Sequence, residues 1–409
     1  MIERNQKIEF PLFDFLPVEM SFTVDTFKNL CSSYASWSSL ETFLTSPEGG
    51  NLRVVGSDRY RILRYVKGQS DFKIQHTKWF RSVIWDTVTN RPVCVAPPKA
   101  ENTEPPTGED IKLSIQDFLD GTMINAFISS DEPTRLQIAS RTQLGAGGTF
   151  YSEKTFGDLF DEALTQMGYD SRADLASVLS KPSHEETATF FSFLLQHPEH
   201  RVVSRPRVPK LFLVHTGSVS KNGSITITEK TPDSLSSFQI QPYPMTGFKK
   251  QSDLDSFFKG LVDSKGWFFQ GLTLKDGAGR RWRIRNENYL TLRALRGSEA
   301  TSTDRFLRLR SEGKVVEYLK HYSEDRQIFW DLEQKLRAMT KTVFDSYCEV
   351  HKAHAKKLAD LPKSIQPCVF RLHSLYLSDL KPQSQSVLMK HAVEIVNKMP
   401  VFEQRRLLA

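Results

Sequence analysis

Lys112-Leu113-Ser114-Ile115-Gln116-Asp117-Phe118-Leu119-Asp120-Gly121-Thr122-Met123-Ile124-Asn125-Ala126-Phe127-Ile128 alternates around a central Asp-Gly pair. Alternation with period two belongs to a strand with one buried face. Asp-Gly suits a tight hairpin turn, because Gly reaches positive φ without steric cost. The stretch predicts a strand, a turn at Asp120-Gly121 and a returning strand. Residues 136–140 add another strand, and 190–195 and 210–214 are apolar runs of strand length. Residues 267–274 and 281–285 frame Lys275-Asp276-Gly277-Ala278-Gly279 as a further hairpin. Upstream, 51–66 reads as a hairpin, bounded by the turn residues Pro47-Glu48-Gly49-Gly50 and containing Gly56-Ser57-Asp58. Strands are expected at 79–86 and 93–96, about the turn Thr89-Asn90-Arg91-Pro92. Residues 97–108 hold four prolines and read as a loop.

Helical spacing occupies 25–44 and 156–167. From about residue 303 it dominates, through Phe306, Leu309, Val316, Leu319, Phe329, Leu332, Leu336 and Phe344. The expected fold is α+β: antiparallel sheets with flanking helices, then an α-helical C-terminal domain. The expected domains are 1–302 and 303–409, with about 70 N-terminal residues as an accessory segment. The aromatic run at 10–15, broken by Pro11, suits a surface-docked segment better than a long helix.

Composition narrows the class. The chain has 409 residues, 39% hydrophobic and 25% charged, which excludes collagen, a coiled-coil rod and a fully disordered chain. Apolar runs fall short of the ~20 residues of a membrane helix, so no membrane partner is expected. Residues 1–7 lack the apolar core of a secretory signal. Cys31, Cys94, Cys348 and Cys368 lie far apart and read as reduced thiols of an intracellular, cytoplasmic or nuclear protein. The net charge of +7 favours anionic partners, RNA or DNA above all, although a basic soluble protein needs no such partner.

The densest chemical signal is Arg280-Arg281-Trp282-Arg283-Ile284-Arg285, extended by Arg293 and Arg296. Six arginines fall within these seventeen residues, against one acid, Glu287. On a strand, Arg281, Arg283 and Arg285 share a face, and guanidinium forks match phosphate oxygens. The interleaved Trp282 is the candidate for base stacking. A solvated strand face neutralised by acids elsewhere is the plainer alternative. Leu144-Gly145-Ala146-Gly147-Gly148 lacks the Gly-Lys-Ser/Thr ending of a phosphate loop. His197-Pro198-Glu199-His200 lacks the His-Glu-x-x-His spacing, and Cys348-x-x-His351-x-x-His354 rotates its third ligand away from its first on a helix. No metal site is expected.

In chain order come Arg81-Ser82-Val83-Ile84-Trp85-Asp86, Phe118-Leu119-Asp120-Gly121-Thr122, Ser140-Arg141-Thr142 and the segment from Phe193 to Val203. Lys265-Gly266-Trp267, Arg283-Ile284-Arg285 and Leu372-His373-Ser374-Leu375-Tyr376 follow. From Trp79 onward, this order and spacing resembles the covalent nucleotidyltransferase superfamily of RNA ligases, DNA ligases and capping enzymes. Within it, the chain is most similar to phage-type RNA ligase-like proteins of large DNA viruses. The resemblance implies a nucleotide- or phosphate-binding set of Arg81, Asp120, Gly121, Arg141, Arg201, Arg283 and Arg285.

It also implies a degenerate active site. The family's lysine attacks the nucleotide α-phosphate and carries it as a phosphoramidate; Phe118 stands in that slot. Leu194 stands at a carboxylate slot, Lys265 at the metal-binding glutamate slot, and Arg283 and Arg285 replace the last two lysines. The expected function is binding of nucleic acid or nucleotide phosphates without transfer, and no cofactor. One alternative is an active ligase using Mg²⁺ and ATP or GTP through a relocated lysine. Lys265 is then the candidate, since Lys112 lies about 26 Å away along an extended strand. The other alternative is a structural or virion-associated scaffold, with viral or host protein partners.

Overall fold

The computed structural model of the chain describes residues 21–56 and 58–408; the aromatic run at 10–15 lies outside them. The chain divides into two compact units, 1–293 and 294–409. The first is α+β. Its strands are β1 (Ser21–Val24), β2 (Arg53–Val55), β3 (Tyr60–Arg64), β4 (Val83–Asp86), β5 (Arg91–Val95), β6 (Ser114–Asp117) and β7 (Thr122–Ser129). They continue with β8 (Gln137–Ala139), β9 (Glu186–Gln196), β10 (Lys210–Ser220), β11 (Ile225–Thr228), β12 (Gly271–Lys275) and β13 (Arg281–Arg285). Its helices are α1 (Thr26–Ser33), α2 (Trp37–Thr45), α3 (Phe156–Gln166), α4 (Arg172–Val178), α5 (Gln251–Lys265) and α6 (Glu287–Arg296), the unit boundary falling within α6.

The strands form three sheets, ordered β1-β11-β10-β9-β7-β8, β13-β12-β6 and β2-β3-β4-β5. Each named strand pair is antiparallel. The six-stranded sheet is covered on both faces, and its period-two alternation sorts the two cores. Phe127 and Phe190 point toward the four-stranded sheet, among Trp85, Val93, Phe27 and Leu30. Ile124, Ala126, Ile128, Phe191, Phe193 and Leu195 point the other way, onto Leu159, Phe160 and Ala163 of α3 and Leu175 of α4. Helix α3 starts at a reciprocal cap, Thr155 with Asp158, which satisfies two otherwise orphaned N–H groups. The three-stranded sheet packs Ile115, Leu272, Leu274 and Trp282 against Leu254 and Leu261 of α5. Residues 21–70 are integral to this unit: β1 extends the large sheet, and Phe27, Leu40 and Ile62 sit in its core.

The expected hairpin is overturned. Strands β6 and β7 exist, but they do not form a hairpin about Asp120-Gly121. Strand β6 pairs with β12, and β7 pairs with β8 and β9, so the four residues 118–121 carry the chain from one sheet to another. The cause is burial. Strand β7 is covered on both faces over most of its length and matches the Phe-rich β9 through eight positions, Thr122↔Leu195 to Ser129↔Ala188. A returning β6 would have supplied only four residues of pairing.

The second unit is helical: α7 (Ser302–Ser311), α8 (Val315–His321), α9 (Arg326–His351), α10 (Gln366–Leu375), α11 (Met389–Lys398) and α12 (Val401–Leu408). Its interior holds a charged knot. Asp325 accepts from Arg296 at 2.9 Å, from Arg305 at 3.1 Å and from the Tyr318 hydroxyl at 2.5 Å.

Candidate functional site

The crossover 118–121 forms a wall of a cavity of about 360 Å³ within the first unit. Strand β13 supplies Arg281, Arg283 and Arg285 from one face, as the alternation predicts. Arg81, just before β4, joins them, as does Arg293 of α6. The apolar lining includes Phe118, Leu119, Met123, Leu194 and Val202.

The charges differ in how they are neutralised. Arg281 and Lys275 share a buried acid, Glu229, at 3.1 and 2.6 Å. Burial would raise the Glu229 carboxyl, but Lys275 and Arg281 outweigh it and hold it below the usual range. Arg81, Arg283 and Arg285 have no carboxylate partner among the described residues. Burial pushes the Arg283 guanidinium down to about 10, and Arg81, Arg285 and Arg281 push the same way. Burial also lowers Arg81. Guanidinium keeps its proton in proteins, so these shifts reflect first the cost of burying the charge and then that of the neighbouring arginines, costs that a bound anion relieves.

The two acids of the cavity wall are already engaged. Asp120 Oδ2 accepts from the Val203 and Ser204 N–H groups at 3.0 and 2.9 Å and from the Tyr289 hydroxyl at 3.2 Å. The Ser204 hydroxyl donates to its other oxygen. Asp117 takes Lys265 Nζ at 2.6 Å and the Tyr243 hydroxyl at 2.6 Å. His200 is also committed: its Nδ1 lies 2.6 Å from the Phe150 carbonyl and its Nε2 2.7 Å from the Thr122 hydroxyl. The cavity is therefore a cationic, partly apolar recess whose carboxylates are spent on local structure.

Of the residues singled out in the sequence, Arg81, Phe118, Asp120, Gly121, Leu194, Arg283 and Arg285 line this cavity. Arg141 does not: its guanidinium braces the Arg81 and Tyr65 carbonyls at 3.2 Å. Arg201 is buried and donates to the Val203 carbonyl at 3.3 Å. Trp282 corrects the stacking expectation. It is only 3% exposed, in the core beneath the three-stranded sheet, because the alternation that aligns the arginines turns Trp282 to the opposite face. That signal was present in the sequence. Lys265 lies instead beside a second hollow of about 190 Å³, across the crossover. Gln270, Lys275 and Tyr289 line the main cavity and were not anticipated. Gln270 immediately precedes β12, whose pairing with β13 was legible, so its neighbourhood could have been found.

Elsewhere, Glu162, His197 and Glu199 converge, but Lys154 Nζ sits 2.8 Å from Glu162 and 2.7 Å from Glu199, placing an ammonium where a cation would go. His351 ends α9 with its ring stacked 3.8 Å from His373, and His354 lies beyond the helix. No helix of the described chain is long and apolar enough to cross a membrane.

No protein-family model matches this chain, and no curated protein matches it.

Proposed function

We propose that the first unit is a nucleotidyltransferase-like domain that has lost covalent transfer and binds the phosphates of nucleic acid or a nucleotide in the arginine cavity. The observation that carries this is the group Arg81, Arg283 and Arg285, which lines a cavity of about 360 Å³ with no acidic partner among the described residues. Phosphate oxygens are the complement of such a group, and Arg forks engage them bidentately.

The wall supports the loss of transfer. Phe118 and Leu194, at the family's nucleophile and carboxylate slots, both face the cavity. Lys265, assigned above to the metal-binding glutamate slot, does not. Gln270 lines the cavity and Gly271 follows it, so we assign that slot to Gln270-Gly271. An amide there carries no charge for a metal. The relocated-lysine alternative finds little support: Lys265 is tied to Asp117, and Lys275, the lysine that does line the cavity, is buried against Glu229 at 2.6 Å.

The test is direct binding of ATP and of end-phosphorylated oligonucleotides, with Arg283→Ala and Arg285→Ala as variants. Each substitution is expected to weaken binding about ten- to a hundredfold, or roughly 1.5–3 kcal/mol for a charged hydrogen bond, with and without chelator. Unchanged affinity in folded variants sinks the proposal. Intact mass after incubation with ATP or GTP and Mg²⁺ or Mn²⁺ should show no added nucleoside monophosphate. An acid-labile adduct would instead make the protein an enzyme.

A further inference from the structure

Trp282 is buried, so the base-stacking surface, if strands are bound, lies elsewhere. Of the six tryptophans, Trp267 and Trp330 are the exposed ones among the described residues, and Trp267 alone belongs to the first unit. It is 44% exposed, and its neighbour Phe268 is 38% exposed.

Their position is tied to the arginine strand. Helix α5 ends at Gly266, whose φ of +68° lets the chain turn sharply away. The Asn286 side-chain amide then donates to the Gly266 and Phe269 carbonyls, each at 3.0 Å, clamping the turn from both ends. Asn286 directly follows Arg285. The clamp therefore fixes the Trp267-Phe268 turn against the end of β13 that presents Arg285. Phe268 lines the second hollow, which shares Asp117, Phe118, Leu119, Asp120 and Gln270 with the arginine cavity. The Arg205 guanidinium lies over the Phe268 ring, 4.8 Å from its centre, and brings positive charge to that ring's face.

We infer that Trp267 and Phe268 form a base platform, and that the ligand is a single-stranded nucleic-acid end rather than a free nucleotide. Resting on the cavity proposed above, the terminal phosphate enters the arginine group while an adjoining base lies on the exposed rings. Single strands suit this surface because their bases are free to unstack, and aromatic rings accept any base. An apolar platform bordered by cations is the pairing such strands require, and the clamped turn supplies it on a backbone held at both ends.

The experiment compares an end-phosphorylated single strand with ATP on the full chain, for Trp267→Ala, Phe268→Ala, Trp267→Phe and Arg283→Ala. Each aromatic-to-alanine change is expected to lower the ratio of strand to ATP affinity about tenfold, and Trp267→Phe to retain most of it. If that ratio is unchanged while Arg283→Ala weakens both ligands, the platform is overturned and the cavity stands. Unchanged binding in all variants overturns both. A wild-type protein that binds the strand no more tightly than ATP overturns the platform in favour of a free nucleotide.

Discussion

Asp120 shows how one side chain can mislead and still matter. As part of an Asp-Gly turn it reads as hairpin chemistry, and as part of a family motif it reads as a ligand contact. In the folded chain its carboxylate gathers two backbone amides, a serine and a tyrosine hydroxyl, fixing the loop at 203–204 against the crossover. Asp120→Ala strands those buried donors and should cost about 2–4 kcal/mol, read as a lower denaturant midpoint at constant m-value. Asp120→Asn should lose less. His215 makes a different prediction. Burial holds its imidazole neutral, pushing it from 6.5 down to about 3, while its Nε2 lies 3.0 Å from the Val95 carbonyl. Below 6.5 the unfolded chain binds a proton that the native chain refuses, so protonation favours unfolding. Stability from this residue falls as pH drops from 6.5 toward 3, by about 1.4 kcal/mol per pH unit within the window. Melts at stepped pH should show this slope flatten in His215→Gln. The difference is clearest above pH 5, before carboxylates held below their usual range, such as Glu229, begin to titrate.

At the scale of elements, the crossover is the feature that makes a cavity. Residues 118–121 leave β6 and enter β7 in different sheets, and Gly121 makes the passage feasible. Its φ is +153°, and a Cβ there would lie 2.4 Å from the Leu195 carbonyl oxygen and 3.2 Å from Leu194. The oxygen belongs to a paired central strand and cannot retreat. Gly121→Ala should therefore destabilise the first unit by at least about 2 kcal/mol, measured by denaturant unfolding. Strand β13 is the complementary element. Alternation puts three arginines on the cavity face and Trp282 and Ile284 on the core side, so one short strand both anchors its sheet and carries the charge.

At the scale of the whole molecule, the net charge of +7 is a small remainder of 55 cations and 48 anions. In the first unit's interior Lys275 and Arg281 are matched by Glu229. On the function proposed above, attraction for phosphate comes from Arg81, Arg283 and Arg285, the cavity arginines that no carboxylate matches among the described residues. Each phosphate neutralised on a single strand contributes about −0.7 to the slope of log affinity against log salt. Replacing both Arg283 and Arg285 by alanine should make that slope shallower by roughly 1.4, in titrations across salt. A slope that persists unchanged would place the binding charge on the general surface.

The sequence alone determined the local character of the chain: the strands of 50–300, the helices after 303, the shared face of the arginines and the absence of a lysine at Phe118. These follow from periodicity and residue type over a few positions. Tertiary structure decided what partners each piece. β6 left β7 for β12, because pairing is won by the larger buried surface, and that surface lies far along the chain. Glu229 neutralises Lys275 and Arg281 from about fifty positions away, leaving Arg81, Arg283 and Arg285 uncompensated. Charge balance and burial are sums over neighbours in space, and a linear pattern names the residues without naming the neighbours.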